Sequence, residues 1–152
     1  MSQYSKITLI KNAIHNPSEP RHYMTLTPAS QTRSAKIDSH ILAQSDQCLI
    51  MREIAHIIID PIYYYPKQSV DISFLEETEN ITTCPLKGRS RYYNALINGE
   101  VYENIGWNYF EPIAIAAKLR DYIAFDSRVV SCLPQGRPQS PKNLTKYIIP
   151  AT

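Results

Sequence analysis

Glycine is scarce in this chain, at 4 of 152 residues, and the scarcity removes whole classes of function. Gly88, Gly99, Gly106 and Gly136 stand too far apart for a phosphate-binding loop or a dinucleotide-binding turn, both of which need glycines at fixed close spacing. Long apolar runs are also missing. The longest, residues 49–59, is broken by Arg52, Glu53 and His56 and cannot span a bilayer. Near the start only Ile7-Thr8-Leu9-Ile10 is apolar, too short for the core of a secretory signal. Cysteine is limited to Cys48, Cys84 and Cys132, with no C-x-x-C pair and no Cys/His spacing of a zinc site. No Asp-x-Asp pair for two-metal chemistry occurs, so neither metal nor cofactor is expected. A formal net charge of +2 is close to balance and demands no polyanionic partner. Together these absences describe a soluble, cytoplasmic chain with reduced thiols and no membrane contact.

What the chain does have is proline and tyrosine, eleven of each, with few uninterrupted helical windows. That combination favours strands joined by irregular turns, a mainly β domain with one or two short helices. Length allows one core. Residues 1–20 end in Asn16-Pro17-Ser18-Glu19-Pro20 and read as an N-terminal arm, residues 21–132 as the domain, and 133–152 as a proline-rich basic tail. Strands are expected over His22 to Thr27 and in a hairpin from Ala35 to Ala43 turning at Asp38-Ser39. Cys48 to Ile62 suits a helix by its isoleucine spacing and a buried strand by its isoleucine density, and both remain open. Tyr63-Tyr64-Tyr65-Pro66 reads as a strand, followed by one or two helical turns over Lys67 to Leu75. Asn98-Gly99 supplies the two positive-φ positions of a tight turn, so residues 82–97 and 100–107 form a hairpin. Pro112 opens a short helix over Ile113 to Leu119, before a strand from Tyr122 to Phe125.

Within that hairpin, alternation sends Arg89, Arg91 and Tyr93 to one face and Ser90 and Tyr92 to the other. Counting outward from the turn, Ile97 pairs with Glu100 and Ser90 with Trp107, which brings the only tryptophan close to Thr83-Cys84-Pro85-Leu86-Lys87-Gly88. An ammonium beside an indole can form a cation–π pair or line a site for an anionic or carbonyl-bearing ligand; the plainer alternative is a core tryptophan and a solvated turn lysine. Cys84 is a nucleophile if Lys87 lowers its pKa and His22, His40 or His56 serves as base, and otherwise an inert buried thiol. Tyr65, Tyr92 and Tyr109 each offer a hydroxyl, or else plain packing. Glu76, Glu77, Glu79, Glu100 and Glu103 interrupt any basic funnel around Arg89 and Arg91, so nucleic acid is not the expected partner.

These residues carry a resemblance. Residues from about 22 to 130 resemble the bacterial family called domain of unknown function 427, through Ile41-Leu42-Ala43-Gln44-Ser45, Arg52-Glu53, Tyr64-Tyr65-Pro66 with Val70, Thr83 to Gly88 with Tyr92, Trp107-Asn108-Tyr109 with Pro112, and Tyr122-Ile123-Ala124-Phe125. The chain departs from the family pattern at Leu86, Asn108 and Asp126. What the resemblance implies is a compact β-tent-like fold, similar to methionine sulfoxide reductase B but without its paired zinc-binding cysteines, and no established activity. Some naming of the family suggests nucleotidyl transfer, for which this sequence assembles no metal-binding carboxylates.

The expected function is a small-molecule-binding β domain, with or without an enzymatic step, whose pocket is built from Tyr65, Cys84, Lys87, Tyr92, Trp107 and Tyr109. Lys87 is expected to hold an anionic or carbonyl oxygen and the aromatics to form a wall, so that Lys87→Met abolishes binding and spares the fold. The alternative is a protein-interaction module using an exposed sheet face or the tail.

Overall fold

The computed structural model of the chain describes residues 9–55 and 57–134, and the backbone of residues 147–148. Among the described residues thirteen strands make up the mainly β architecture, in chain order β1 (Ile14–Asn16), β2 (Glu19–Pro28), β3 (Arg33–Ile37), β4 (His40–Ser45), β5 (Leu49–Ile54), β6 (Ile57–Ile58), β7 (Ile62–Pro66), β8 (Leu75–Cys84), β9 (Gly88–Ile97), β10 (Glu100–Pro112), β11 (Tyr122–Phe125), β12 (Ser131–Pro134) and β13 (Tyr147–Ile148). A large antiparallel sheet runs β1-β2-β5-β7-β11-β10-β9-β8, with β6 on β5 and β13 on β6. A second sheet has the order β12-β3-β4. Among the described residues no helix is long and apolar enough to cross a membrane.

The large sheet is the middle layer, because its strands are apolar on both faces. Tyr65, Ala95, Ile97, Ile105, Ile123 and Phe125 pack on Ala35, Ile37, Leu42 and Ala43 of the small sheet. On the other face Met24, Leu49, Met51, Tyr64, Tyr109 and Ala124 are capped by Leu86 and by Ala116 and Leu119 of a 3₁₀ helix, Ala114–Asp121. A fully buried side chain of this size contributes about 1.5–3 kcal/mol, so the two clusters outweigh any one polar contact in holding the layers together.

The sequence expectations meet this architecture unevenly. Asp38-Ser39 and Asn98-Gly99 both form two-residue turns, with Ile37 opposite His40 and Ile97 opposite Glu100. Asn98 and Gly99 adopt φ of 52° and 79°, the left-handed pair that such a hairpin needs. The Cys48–Ile62 stretch resolves as strands, because alternate residues feed opposite clusters: Leu49 and Met51 one, Ile50 the other. Short 3₁₀ turns fill Lys67–Ser69 and Ile72–Phe74. Pro112 ends β10 instead of opening the helix, which is 3₁₀ and kinked at Ala116. Part of the segment read as an arm enters the sheet, since Ile14 and His15 pair with Met24 and Tyr23. The tail at 135–146 and 149–152 lies outside the described residues.

Register in the long hairpin needs correction. Near the turn Ala95 faces Tyr102, but beyond it Tyr93 faces Gly106 and Tyr92, not Ser90, faces Trp107. Glu103, Asn104 and Ile105 stand opposite Asn94 alone, so β10 carries two extra residues; Asn104 takes φ of 53° and its N–H donates to Asn94 Oδ1. A two-residue slip preserves alternation, so Trp107 still shares a face with Tyr92 and Ser90. Arg89 and Arg91 stand on the opposite face against the Phe110 ring.

The tightest backbone approach is at Gly88, φ 114°, where a Cβ would lie 2.3 Å from the Glu111 carbonyl oxygen and 2.7 Å from Pro112 Cα. Gly88→Ala should therefore cost on the order of 3 kcal/mol. Gly99→Ala, strained in φ but with open space around it, should cost about 1 kcal/mol. Denaturant melts of the two variants check the order; equal losses would mean that the Gly88 turn relaxes.

Candidate functional site

Four strands of the large sheet lay a row of side chains across one face. Tyr64 on β7 pairs with Ala124 on β11, Ala124 with Trp107 on β10, and Trp107 with Tyr92 on β9. Ala124 is small enough to leave room for its neighbours to meet above it, and Trp107 Nε1–H points to the Tyr64 hydroxyl at 3.5 Å. The Trp107 and Tyr92 rings lie 6.2 Å apart at 51°. Behind them Tyr92 and the buried Ser90 both bond to Thr82 Oγ1, at 3.1 and 2.9 Å. Tyr109, two residues beyond Trp107, is 7 % exposed on the same face.

The turn from β8 to β9 brings Lys87 over this row. Its backbone is fixed at both ends, since Lys87 N–H donates to Cys84 O and Lys87 O accepts from Ile113 N–H. The side chain is directed inward, 6 % exposed, with Nζ 5.7 Å from the Tyr109 ring centroid and 2.8 Å from Glu53 Oε1 on β5. Glu53 Oε2 accepts from His22 Nε2 on β2 at 2.8 Å. This chain of polar groups fixes the histidine tautomer. Asn16 Oδ1 accepts from Ser18 N–H, which turns the Asn16 amide nitrogen toward His22 Nδ1 at 3.2 Å. Because an amide nitrogen only donates, Nδ1 is the acceptor in this arrangement, and Nε2 carries the proton given to Glu53.

Electrostatics follow from burial and pairing. Burial alone raises the Glu53 carboxyl, but the Lys87 charge, the Lys87 hydrogen bond and the His22 hydrogen bond outweigh it and hold the group below its ordinary value. Burial works against the Lys87 ammonium too, and is overcome by the Tyr64 oxygen and the Glu53 carboxylate, so its pKa is raised. Tyr64 and Tyr109 are both pushed up, chiefly by burial, and stay protonated as donors. Cys84 is half-buried and close enough to influence Tyr64, Tyr109 and Lys87.

Five of the six residues read from the sequence therefore come together: Cys84, Lys87, Tyr92, Trp107 and Tyr109. Tyr65 does not. Strand alternation sends it to the opposite cluster, 5.8 Å from the Phe125 ring, with its hydroxyl beside Cys132. Its place is taken by Tyr64, one residue earlier. Sequence reading also missed Glu53, and weighed His22 only as a base for Cys84; an acid inside an apolar run was the available signal. His40 lies elsewhere, edge-on to Phe74, and His56 is outside the described residues. Asn108, where the chain departs from the family pattern, bonds the carbonyls of Arg120 and Tyr122 at 2.9 Å each and so anchors the 3₁₀ helix. Leu86, the other departure near the site, is fully buried. Among the described residues no three His, Cys, Asp or Glu side chains converge as a metal site.

Fold and site together define a class: a compact, mainly β domain whose curved sheet holds a buried ion pair under an aromatic row. Residues 25–135 match the family described as Domain of unknown function (DUF427), and the chain belongs to it. No curated protein matches the chain.

The pairing revises the expectation that Lys87→Met spares the fold. With Lys87 gone, Glu53 keeps a buried charge without its cation, and a loss of about 3–5 kcal/mol is expected. The double variant Glu53→Gln/Lys87→Met should recover most of it, which a double-mutant cycle of denaturant melts reads directly. In pH, the Glu53 contribution is present above the ordinary carboxyl value of 4.5 and fades as pH falls through the lowered folded value. The Lys87 contribution is full below 10.5 and fades as pH rises through its raised value. Stability should thus be level between those limits, and Glu53→Gln should flatten the acid limb.

Proposed function

We propose that the protein binds a small molecule through an acceptor oxygen, anionic or carbonyl, held by Lys87 and flanked by Trp107 and Tyr92. One observation carries this reading: the site has more donors than acceptors. Lys87 uses one of its three N–H groups on Glu53, and no second acceptor stands among the described residues. Tyr64 accepts from Trp107, and among the described residues nothing accepts its own proton. Both Glu53 oxygens are already occupied, one by Lys87 and one by His22. Lys87 and Tyr64 are each bonded once and keep a donor hydrogen besides, and a ligand oxygen between them can accept both. Half-buried Cys84, Tyr92 and Trp107 form the side from which it enters, with the two rings as an apolar wall.

Trp107 is the only tryptophan, so its indole N–H gives a single side-chain NMR signal. Titration with a panel of small carboxylates and carboxamides should shift that signal saturably in the native chain. The charge-balanced Glu53→Gln/Lys87→Met variant should weaken binding at least about tenfold, the loss of one strong buried hydrogen bond. Undiminished affinity in that variant would take lysine out of the site.

A further inference from the structure

Resting on that reading, we infer that the ligand oxygen is a neutral carbonyl, as in a carboxamide, and not the oxygen of an anion. The formal charge at the site carries this choice. Lys87 is the cation that reaches the aromatic row, and it is already neutralised by Glu53 at 2.8 Å. His22 is engaged with the other Glu53 oxygen and with Asn16. Arg89 and Arg91 cannot help, since they stand on the other face of the sheet over Phe110 and are paired to Glu111 and Glu77. The packed cluster around the row includes Met24, Leu49, Met51 and Leu86, all apolar.

An anion brought into this setting would be a second negative charge sharing one ammonium with Glu53, desolvated and uncompensated. A carbonyl accepts the same hydrogen bonds from Lys87 and Tyr64 without adding charge, and its desolvation is far cheaper. Glu53 thus acts against anions while leaving the Lys87 donors available, the repulsive half of a specificity device. A flat apolar body attached to the carbonyl fits against the tilted Trp107 and Tyr92 rings.

Benzamide and benzoate separate the two chemistries, because they share ring and carbonyl position and differ in charge. With the Trp107 indole signal as readout, benzamide should bind the native chain at least tenfold more tightly than benzoate. In Glu53→Gln, where the ammonium loses its countercharge, the order should reverse. Tighter benzoate binding in the native chain would overturn the inference and leave the site standing. A benzamide preference that persists unchanged in Glu53→Gln would overturn it as well, since Glu53 would not be its source. An indole signal moved by neither compound would overturn the binding site itself. Should Glu53→Gln fail to fold, the native ratio alone decides.

Discussion

The contact between Glu53 and Lys87 is the constraint to which the large sheet conforms. Glu53 is on β5 and Lys87 in the turn that enters β9, strands four positions apart in the order β5-β7-β11-β10-β9, which on a flat sheet amounts to about 19 Å. A 2.8 Å ion pair closes that interval through the reach of both side chains, the inward turn at Lys87 and the curl of the sheet around the cluster of Met51, Tyr64, Leu86 and Tyr109. Bulges supply the curl: β10 is irregular between Tyr102 and Gly106 and again between Asn108 and Glu111, and β8 between Glu77 and Ile81. The polar site is therefore a product of curvature, and the curvature is held by apolar packing on both faces.

Lys87 reaches inward because its turn gives it no alternative. Both of its backbone polar groups are used, one on Cys84 and one on Ile113, and the next residue is the glycine pressed against the end of β10. A lysine on a looser turn would leave its ammonium in water. Here the close packing of Gly88 on Pro112 sets the path of the chain, Asn108 fixes the helix that follows, and the side chain between them has only the cluster to enter. A turn that sequence reading marks as informative for its cysteine and lysine thus depends just as much on its glycine.

Local signals in the sequence were enough for much of this. Asn98-Gly99 and Asp38-Ser39 announce their turns by the left-handed conformations they tolerate, and the Arg89/Tyr92 alternation announces two chemically distinct faces. The ends of β11 are also legible, from the apolar run Tyr122 to Phe125. Long-range choices were not legible. Of three consecutive tyrosines, nothing local says which one faces the tryptophan; that depends on β7 pairing with β11 through Tyr64 and Ala124. Glu53 was hidden for the same reason, because its partner lies 34 residues away and is met only once the sheet has curled.

The extra pair of residues in β10 has a consequence for how such a chain varies. Side chains alternate with a period of two, so a strand that gains or loses two residues at Glu103–Ile105 slides its far end along its neighbour yet presents the same side chains to the aromatic row. A gain or loss of one would turn Trp107 and Tyr109 to the arginine face and bring Asn108 and Phe110 over the ion pair. Length changes at this point are thus read by the fold in even and odd classes. The even ones alter reach, and the odd ones exchange the two surfaces of the sheet.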